Sequence, residues 1–137
     1  MSKVEERVES FTDFLERKEI DYRASGNTVL IVTGLESIQL AKFAVTFDDG
    51  GASVHIAALG IARAPQERIE RVVPALNDLN RRFRWCKFFV DHDGDVIADC
   101  DALIYDDTAN DTCLELIARV ASVIDDAYLD VMQSIYS

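Results

Sequence analysis

The sequence lacks the features that would place it in several specialised classes of protein. No apolar run approaches the roughly 20 residues that a membrane-spanning helix needs, and the chain opens directly into an amphipathic pattern. The three cysteines are odd in number and show no C-x-x-C spacing, which argues against a zinc site and against a secreted disulfide scaffold. We therefore expect a cytoplasmic protein with buried thiols, no cofactor and no membrane partner.

Recognisable catalytic motifs are also missing. The chain contains no G-x-S-x-G, no glycine-rich phosphate loop and no H-E-x-x-H. Its only histidines, His55 and His92, fall on different predicted hairpins, and neither has a plausible nucleophile beside it. The sequence therefore predicts a protein that is not an enzyme.

Basic residues are nearly absent from the last third of the chain. Residues 1–90 carry 13 acidic and 13 basic side chains, whereas residues 91–137 carry 12 acidic side chains and only one basic residue, Arg119. A surface of this sign repels phosphate backbones, and the arginines near residues 81–87 lack a stacking motif, so nucleic acid is not expected as a partner. The acidic third either keeps the protein soluble or docks a basic partner.

Apolar material, in contrast, is plentiful. Of the 137 residues, 49% are hydrophobic and 28% are charged, which is enough for one substantial core. We expect a single domain over residues 1–137.

The clearest secondary-structure signal in the sequence is a predicted β-hairpin over residues 85–101. Its loop, Asp91–Asp95, has the composition of a type I turn closed by a glycine in the left-handed conformation. The resulting register pairs Phe88 with Ala98 and Cys86 with Cys100, so one face is wholly apolar and the two thiols could bridge under oxidation. The opposite face then carries Trp85, Lys87, Phe89 and Asp91 against Asp101, Asp99, Ile97 and Asp95.

A second hairpin is predicted around Asp49-Gly50, the preferred dipeptide for a two-residue turn. That turn would pair Phe47 with Ala52 and Val45 with Val54, again giving an apolar face. The other face, expected to be exposed or an interface, carries Lys42, Ala44 and Thr46 against Ala57, His55 and Ser53.

Earlier strands are predicted at residues 20–24, weakly, and at Thr28–Thr33, which is rich in β-branched residues and expected to be buried on both faces. Helical spacing predicts a first helix over residues 3–18, with Ser2 and Glu5 as a capping box.

A second helix is predicted to start at Pro65 and to run to about Phe83. Pro74 inside it predicts a kink near residues 70–73 or two short helices. A long final helix is predicted from a cap at residues 106–108 to about Ile135. The order α-β-β-β-β-α-β-β-α indicates an α+β fold, an antiparallel sheet with helices packed on one face.

A run of motifs follows the second predicted helix. It comprises Asn77-x-Leu79-Asn80-Arg81-Arg82, Trp85-x-Lys87-Phe88 and Asp91-x-Asp93-Gly94-Asp95-Val96, followed by an acidic final helix. The run resembles the YbjN-domain family of bacterial proteins, which is labelled with sensory transduction regulation and is similar in fold to type III secretion chaperones. The resemblance is specific over about residues 65–136, and only the order of elements agrees before that.

The resemblance implies a small, cytoplasmic, non-enzymatic protein that binds other proteins, often as a dimer. Pro74 and the cysteines at positions 86 and 100 depart from the family pattern. Pro74 puts the geometry of the second helix in doubt, but none of these departures removes the fold.

The predicted site is the outer face of the sheet. Trp85, Phe89 and Ile97 would lie together there, with Lys87 beside them, if the helices cover the other face. Exposed aromatic clusters of this kind mark sites for a protein partner or for self-association as a homodimer. A loop or Tyr105 could instead cover them.

The alternative is a small-ligand or metal-binding domain that uses the aspartates of the last third. Asp91, Asp93 and Asp95 resemble the start of an EF-hand loop, but Gly94 stands at the fourth position where that motif needs glycine at the sixth. Asp99 and Asp101 share a strand face, yet Lys87 opposite Asp99 makes a cross-strand pair simpler than an acid/base dyad. No metal site is therefore predicted.

Overall fold

The frame of the molecule is a six-stranded antiparallel sheet in the order β1-β2-β3-β4-β6-β5. A computed structural model describes residues 1–137 and confirms the predicted α+β class and element order. A single 3-10 turn, Gln66–Arg68, precedes the second helix. The elements are α1 (Lys3–Arg17), β1 (Arg23–Ser25), β2 (Thr28–Thr33), β3 (Ala41–Phe47), β4 (Ser53–Arg63), α2 (Ile69–Arg82), β5 (Lys87–Val90), β6 (Asp95–Leu103) and α3 (Ala109–Tyr136).

The helices pack on one face of the sheet and bury one apolar cluster with it. Alternate residues of the strands point to this inner face, so Phe43, Val45 and Phe47 of β3 are buried together. At about 1.5 Å per residue, α3 is about 40 Å long and can lie across the whole sheet. Its predicted stripe is buried at Cys113, Ile117, Val120, Ile124, Ala127, Val131 and Ile135.

The first helix has the predicted capping box. The Ser2 hydroxyl accepts the N–H of Glu5 at 3.2 Å, and the Glu5 carboxylate returns to the Ser2 backbone. The final helix begins after Thr108, which holds the N-cap position without a side-chain hydrogen bond.

The hairpin of β5 and β6 has the predicted register, with Phe88 opposite Ala98 and Val90 opposite Val96. The N–H of Asp91 donates to the carbonyl of Asp95 at 3.0 Å and closes the three-residue loop. The turn chemistry and the apolar alternation therefore select the same pairing.

The hairpin of β3 and β4 has the predicted faces but not the predicted register. Phe47 lies opposite Val54 instead of Ala52, because the loop spans residues 49–52 and not two residues. The Asp48 carboxylate holds this wider loop by accepting the N–H groups of Ala52 at 2.8 Å and Ser53 at 3.2 Å. A shift of two residues leaves every side chain on its predicted face, since side chains alternate with a period of two.

Three smaller predictions need correction. The weak strand predicted at residues 20–24 is only Arg23–Ser25. Strand β2 buries Val29 and Ile31, but Val32 is 45% exposed, because no helix covers the outer face. Helix α2 is continuous through Pro74, so the alternative of two short helices is wrong, and the change of helix type lies at its start, after Arg68. Pro74 removes one backbone hydrogen bond, to the Glu70 carbonyl, without ending the helix, and the kink near residues 70–73 stays a prediction.

Candidate protein-binding surfaces

The outer face of the sheet carries an apolar band that no helix covers. Phe89 lies directly opposite Ile97 in the β5–β6 ladder, so the structure brings these two predicted site residues together. Phe89 is 40% exposed, and Val32 at the other side of the sheet is 45% exposed. We call this set the outer-face band: Leu30, Val32, Ala44, Leu59, Phe89 and Ile97.

The outer face carries charges of both signs. Arg23 of β1 and Lys42 of β3 are exposed on one half of the face, where they line a groove together with Asp21, Leu30 and Val32. Asp99 and Asp101 stand on β6 in the other half. Lys87 lies beyond them on the edge strand β5. Cations and carboxylates are therefore present on both halves of the face.

Lys87 lies opposite Asp99 as predicted, but the two side chains do not form the expected pair. The Lys87 ammonium donates to the carbonyl oxygen of Asn80 at 3.0 Å, because α2 ends beside the edge strand. Asp99 instead meets the Nε2 atom of His55 on β4 at 2.9 Å. The cross-strand polar contact of this face is therefore between His55 and Asp99.

Trp85 does not share the outer face with Phe89 and Ile97, and that part of the prediction was wrong. Its backbone φ is 80°, in the left-handed region, so the alternation of the strand does not extend back to residue 85. The Arg119 guanidinium of α3 lies 4.4 Å from the indole centroid, and that of Arg84 lies 5.3 Å away. Trp85 is therefore on the helix side of the sheet, where it is 44% exposed.

Two open grooves meet at Trp85. The larger, about 750 Å³, is bounded by Lys18 at the end of α1 and by the first half of α3, including Leu114, Leu116 and Arg119. The smaller, about 330 Å³, lies against Arg82, Phe83, Arg84 and Asp126. The sequence prediction missed Lys18 and Arg119 at this surface. The available signal was that Arg119 is the only basic residue after position 90.

The edge of the sheet at β5 is closed by a side chain. Asn80 of α2 donates its amide N–H to the Phe88 carbonyl at 3.1 Å and accepts the Phe88 N–H at 2.7 Å. The Asn80 amide thus takes the place that a further strand would occupy. A partner strand therefore cannot pair with β5 at Phe88.

The aspartates of the β5–β6 loop form a structural turn. Carboxylate oxygens of Asp91, Asp93 and Asp95 lie within 4.8 Å of one another. Asp91 Oδ1 accepts the N–H groups of Asp93 at 3.0 Å and Asp95 at 2.9 Å, which is an arrangement that a turn aspartate commonly makes. Arg63 adds a donor to the Asp93 carbonyl at 3.1 Å.

None of the helices is long and apolar enough to cross a membrane.

A sheet covered by helices on one face only, with its edge strand β5 capped by an asparagine, defines a small α+β protein with an open sheet face. The chain belongs to the YbjN family, whose model is described as "Putative bacterial sensory transduction regulator" and matches residues 7–132. The family prediction is therefore confirmed, over a longer part of the chain than the motifs alone indicate.

A solved structure has a similar fold. It is the crystal structure of YbjN, "a putative transcription regulator from E. coli", with a TM-score of 0.64 over 88% of this chain and 90% of that chain. Its sequence identity is 10%, so the likeness shows the fold alone. No curated protein matches the sequence significantly.

Proposed function

We propose that the protein is a non-enzymatic, protein-binding regulator that associates through the outer face of its sheet, with a second copy of itself as the occupant. Membership of a family described as sensory transduction regulators supports the regulatory role. The single observation that carries the binding mode is the outer-face band, with Val32 and Phe89 exposed on a face that no helix covers. Exposed apolar patches of this kind mark association sites in soluble proteins.

The charges of the same face favour a second copy as the occupant. A twofold axis that runs parallel to the strands through the middle of the sheet would place β1 of one copy over β5 of the other, β2 over β6 and β3 over β4. Lys42 of each copy would then lie over β4 of its partner, next to the strand that carries Asp99, whereas Arg23 would lie over β5, which carries Lys87. An axis across the strands would instead place each strand over its own copy and bring Lys42 to Lys42, so the parallel axis is the arrangement that Lys42 and Asp99 favour.

Sedimentation equilibrium of the purified chain tests the apolar part of the proposal. The wild type should have twice the 15.3 kDa mass of one chain, and Phe89→Asp should weaken the dimer at least tenfold, or about 1.4 kcal/mol. Leu129→Asp on α3 is the matched control, since Leu129 is 73% exposed on another surface. A monomeric wild type at hundreds of micromolar, or an equal effect of the control, contradicts the proposal.

Charge reversal tests the geometry of the dimer separately. Lys42→Glu and Asp99→Lys should each weaken the dimer several-fold at low salt, because each creates a like-charge contact across the interface. The double variant should recover most of the loss. Recovery would be absent if the copies met with the axis across the strands, or if another protein were the occupant.

Metal binding by the acidic third is the competing class. The only cluster with suitable spacing, Asp91, Asp93 and Asp95, already uses one carboxylate oxygen to close its own turn. Calorimetric titration with Ca²⁺ and Mg²⁺ distinguishes the classes: saturable heat that Asp93→Asn removes would favour the metal site.

A further inference from the structure

We propose that Phe89 of each copy in the dimer sits in a groove beside β1 of the other copy. We call this groove the β1 groove. It has a volume of about 440 Å³ and is lined by Asp21, Tyr22, Arg23, Leu30, Val32 and Lys42. This inference rests on the proposed dimer and identifies the part of each copy that receives the exposed ring of the other.

The strand pairings place Phe89 and the β1 groove in one row across the sheet. Phe89 is paired with Ile97 on one side of the sheet, and Val32 is paired with Lys42 on the other. The pairings of β4 with β3 and with β6 join these two pairs into a single row. The outward side chains of that row are, in order, Val32, Lys42, Leu59, Ile97 and Phe89.

A twofold axis parallel to the strands brings the two ends of this row together. Rotation about such an axis keeps each residue at its height along the axis and exchanges the two edges of the sheet. Because β6 then lies over β2 and β5 over β1, Ile97 of one copy lies over Val32 of the other. Phe89 lies one strand further out, on the β1 side of Val32, where the β1 groove is.

The lining of the β1 groove suits an aromatic ring. Leu30 and Val32 provide apolar walls, and Arg23 and Lys42 provide cations that can lie over the face of a ring. Asp21 lies beside these cations, so no single sign of charge selects a charged occupant. Phe89 is 40% exposed and is the only aromatic residue of the outer-face band, so it has the largest apolar side chain to bury there.

A double-mutant cycle, measured by sedimentation equilibrium, tests the contact. Phe89→Ala should weaken the wild-type dimer at least about tenfold. It should weaken a Val32→Ala dimer less than about threefold, because Val32→Ala has already removed a wall of the groove. Within one copy, four strand spacings of about 4.8 Å separate β2 from β5, so coupling between the two residues arises only across the interface. In the control background Leu129→Ala, on α3, Phe89→Ala should keep its full effect.

Chemical cross-linking tests the placement of the strands and leaves Phe89 intact. Arg23 and Lys87 stand at opposite ends of the neighbouring row, which the pairings join through Leu30, Ala44, Ala57 and Asp99. A short bis-maleimide should therefore link Arg23→Cys chains to Lys87→Cys chains in a mixture. Neither variant should be linked to itself, because five strand spacings keep its two substituted positions at least about 24 Å apart. The wild type, treated in the same way, gives the background of the native thiols.

The outcomes separate the Phe89 contact from the dimer itself. An equal effect of Phe89→Ala with and without Val32→Ala, in a chain that dimerises, would overturn the contact and leave the dimer standing. Linkage of Lys87→Cys to itself would also overturn the contact, because each strand would then lie over its own copy. A wild type that stays monomeric would contradict both. Thermal melting confirms that each variant is folded.

Discussion

At the scale of single residues, Gly94 is the position where the backbone allows no side chain. Its φ is 88°, and a Cβ atom there would lie 2.6 Å from the carbonyl oxygen of Ala64. The Ala64 N–H donates to the Gly94 carbonyl at 2.7 Å, so the loop tip is fixed against the segment that leads into α2. Glycine is therefore required here for close approach as well as for its conformation.

Gly94→Ala should destabilise the protein by more than the roughly 1–2 kcal/mol that a left-handed conformation costs an ordinary residue. The excess arises because the Ala64 carbonyl must move. Gly26→Ala is the matched control, since Gly26 has φ 60° with nothing within 4 Å and should show the conformational cost alone. Urea denaturation measures both, and equal losses would contradict the role of the Ala64 contact.

The three cysteines are neutral thiols in the folded chain. Burial is the main cause that raises the pKa of Cys86 to about 12 and of Cys113 to about 12. Burial, together with the carboxylates of Asp101 and Asp99, raises the pKa of Cys100 to about 11. All three are free, so the Cys86–Cys100 bridge that the register allows under oxidation stays a prediction.

We expect iodoacetamide to label these thiols slowly at pH 8, because only the thiolate reacts and its population is small. Labelling in urea should be fast at all three positions. Because the pKa of each thiol is higher in the folded chain than the ordinary value of 9.0, the neutral thiols contribute stability below pH 9. This contribution is lost as the pH rises through the pKa values of the folded chain. Labelling of Cys86 as fast in the folded chain as in urea would contradict this.

At the scale of elements, the pairing of α2 with the edge strand β5 depends on Asn80. Its amide satisfies both backbone groups of Phe88 that point away from β6. In an antiparallel pair, the N–H and C=O groups of alternate residues point away from the neighbouring strand. Those of Phe88 have no strand beyond them, so the Asn80 side chain takes the place of a strand partner.

Asn80→Ala should cost about 1–3 kcal/mol, since it leaves partly buried backbone groups without partners. Asn77→Ala, on the same helix but exposed, should cost far less. Hydrogen exchange should show faster exchange at the Phe88 N–H in the Asn80 variant only. Unchanged exchange there would show that α2 and β5 are held by apolar packing alone.

Helix α3 holds the loop between β2 and β3 through one carboxylate. Asp125 accepts the Ser37 N–H at 2.8 Å, the Glu36 N–H at 3.3 Å and the Ser37 hydroxyl. Partial burial raises the pKa of Asp125, but the hydrogen bonds from Ser37 and Glu36 outweigh it and leave that pKa below its ordinary value.

A lowered pKa stabilises the fold above the unfolded value of 3.8, and this contribution is lost as pH falls below it. Asp125→Asn should therefore reduce the free energy of unfolding at neutral pH. It should also make that free energy fall less as the pH is lowered, as measured by urea denaturation between pH 2 and pH 7. Asp126→Asn, at the exposed neighbouring position, is the control. Identical pH profiles for the two variants would contradict the proposed clamp.

At the scale of the whole molecule, the sheet separates two different surroundings. The outer-face band lies on the open side, and Trp85 lies beside α3 on the helix side. The proposed dimer uses the open side alone.

The side of the sheet should decide which exposed aromatic residue matters for the dimer. Trp85→Ala should leave the dimer unchanged, because Trp85 lies against Arg119 of α3 on the helix side, whereas Phe89→Asp should weaken it. Sedimentation equilibrium of the two variants measures both effects, and equal weakening by Trp85→Ala would contradict the outer face as the interface.

The sequence alone determined the features that depend on neighbours within a few residues. Turn chemistry and alternation set the register of the β5–β6 hairpin, and helical spacing identified the buried stripe of α3. These signals also placed Phe89 opposite Ile97 on the outer face. The element order followed, because each helix or strand carries its own period.

Only the tertiary structure decided which distant groups meet. The left-handed backbone of Trp85 turns the ring towards Arg119, more than 30 positions further along the chain. Asp99 pairs with His55 instead of Lys87, and Asn80 caps Phe88, because packing of α2 and β4 beside these strands supplies partners that no local pattern shows. Local periods fix elements and faces, whereas long-range contacts fix the partners of each side chain.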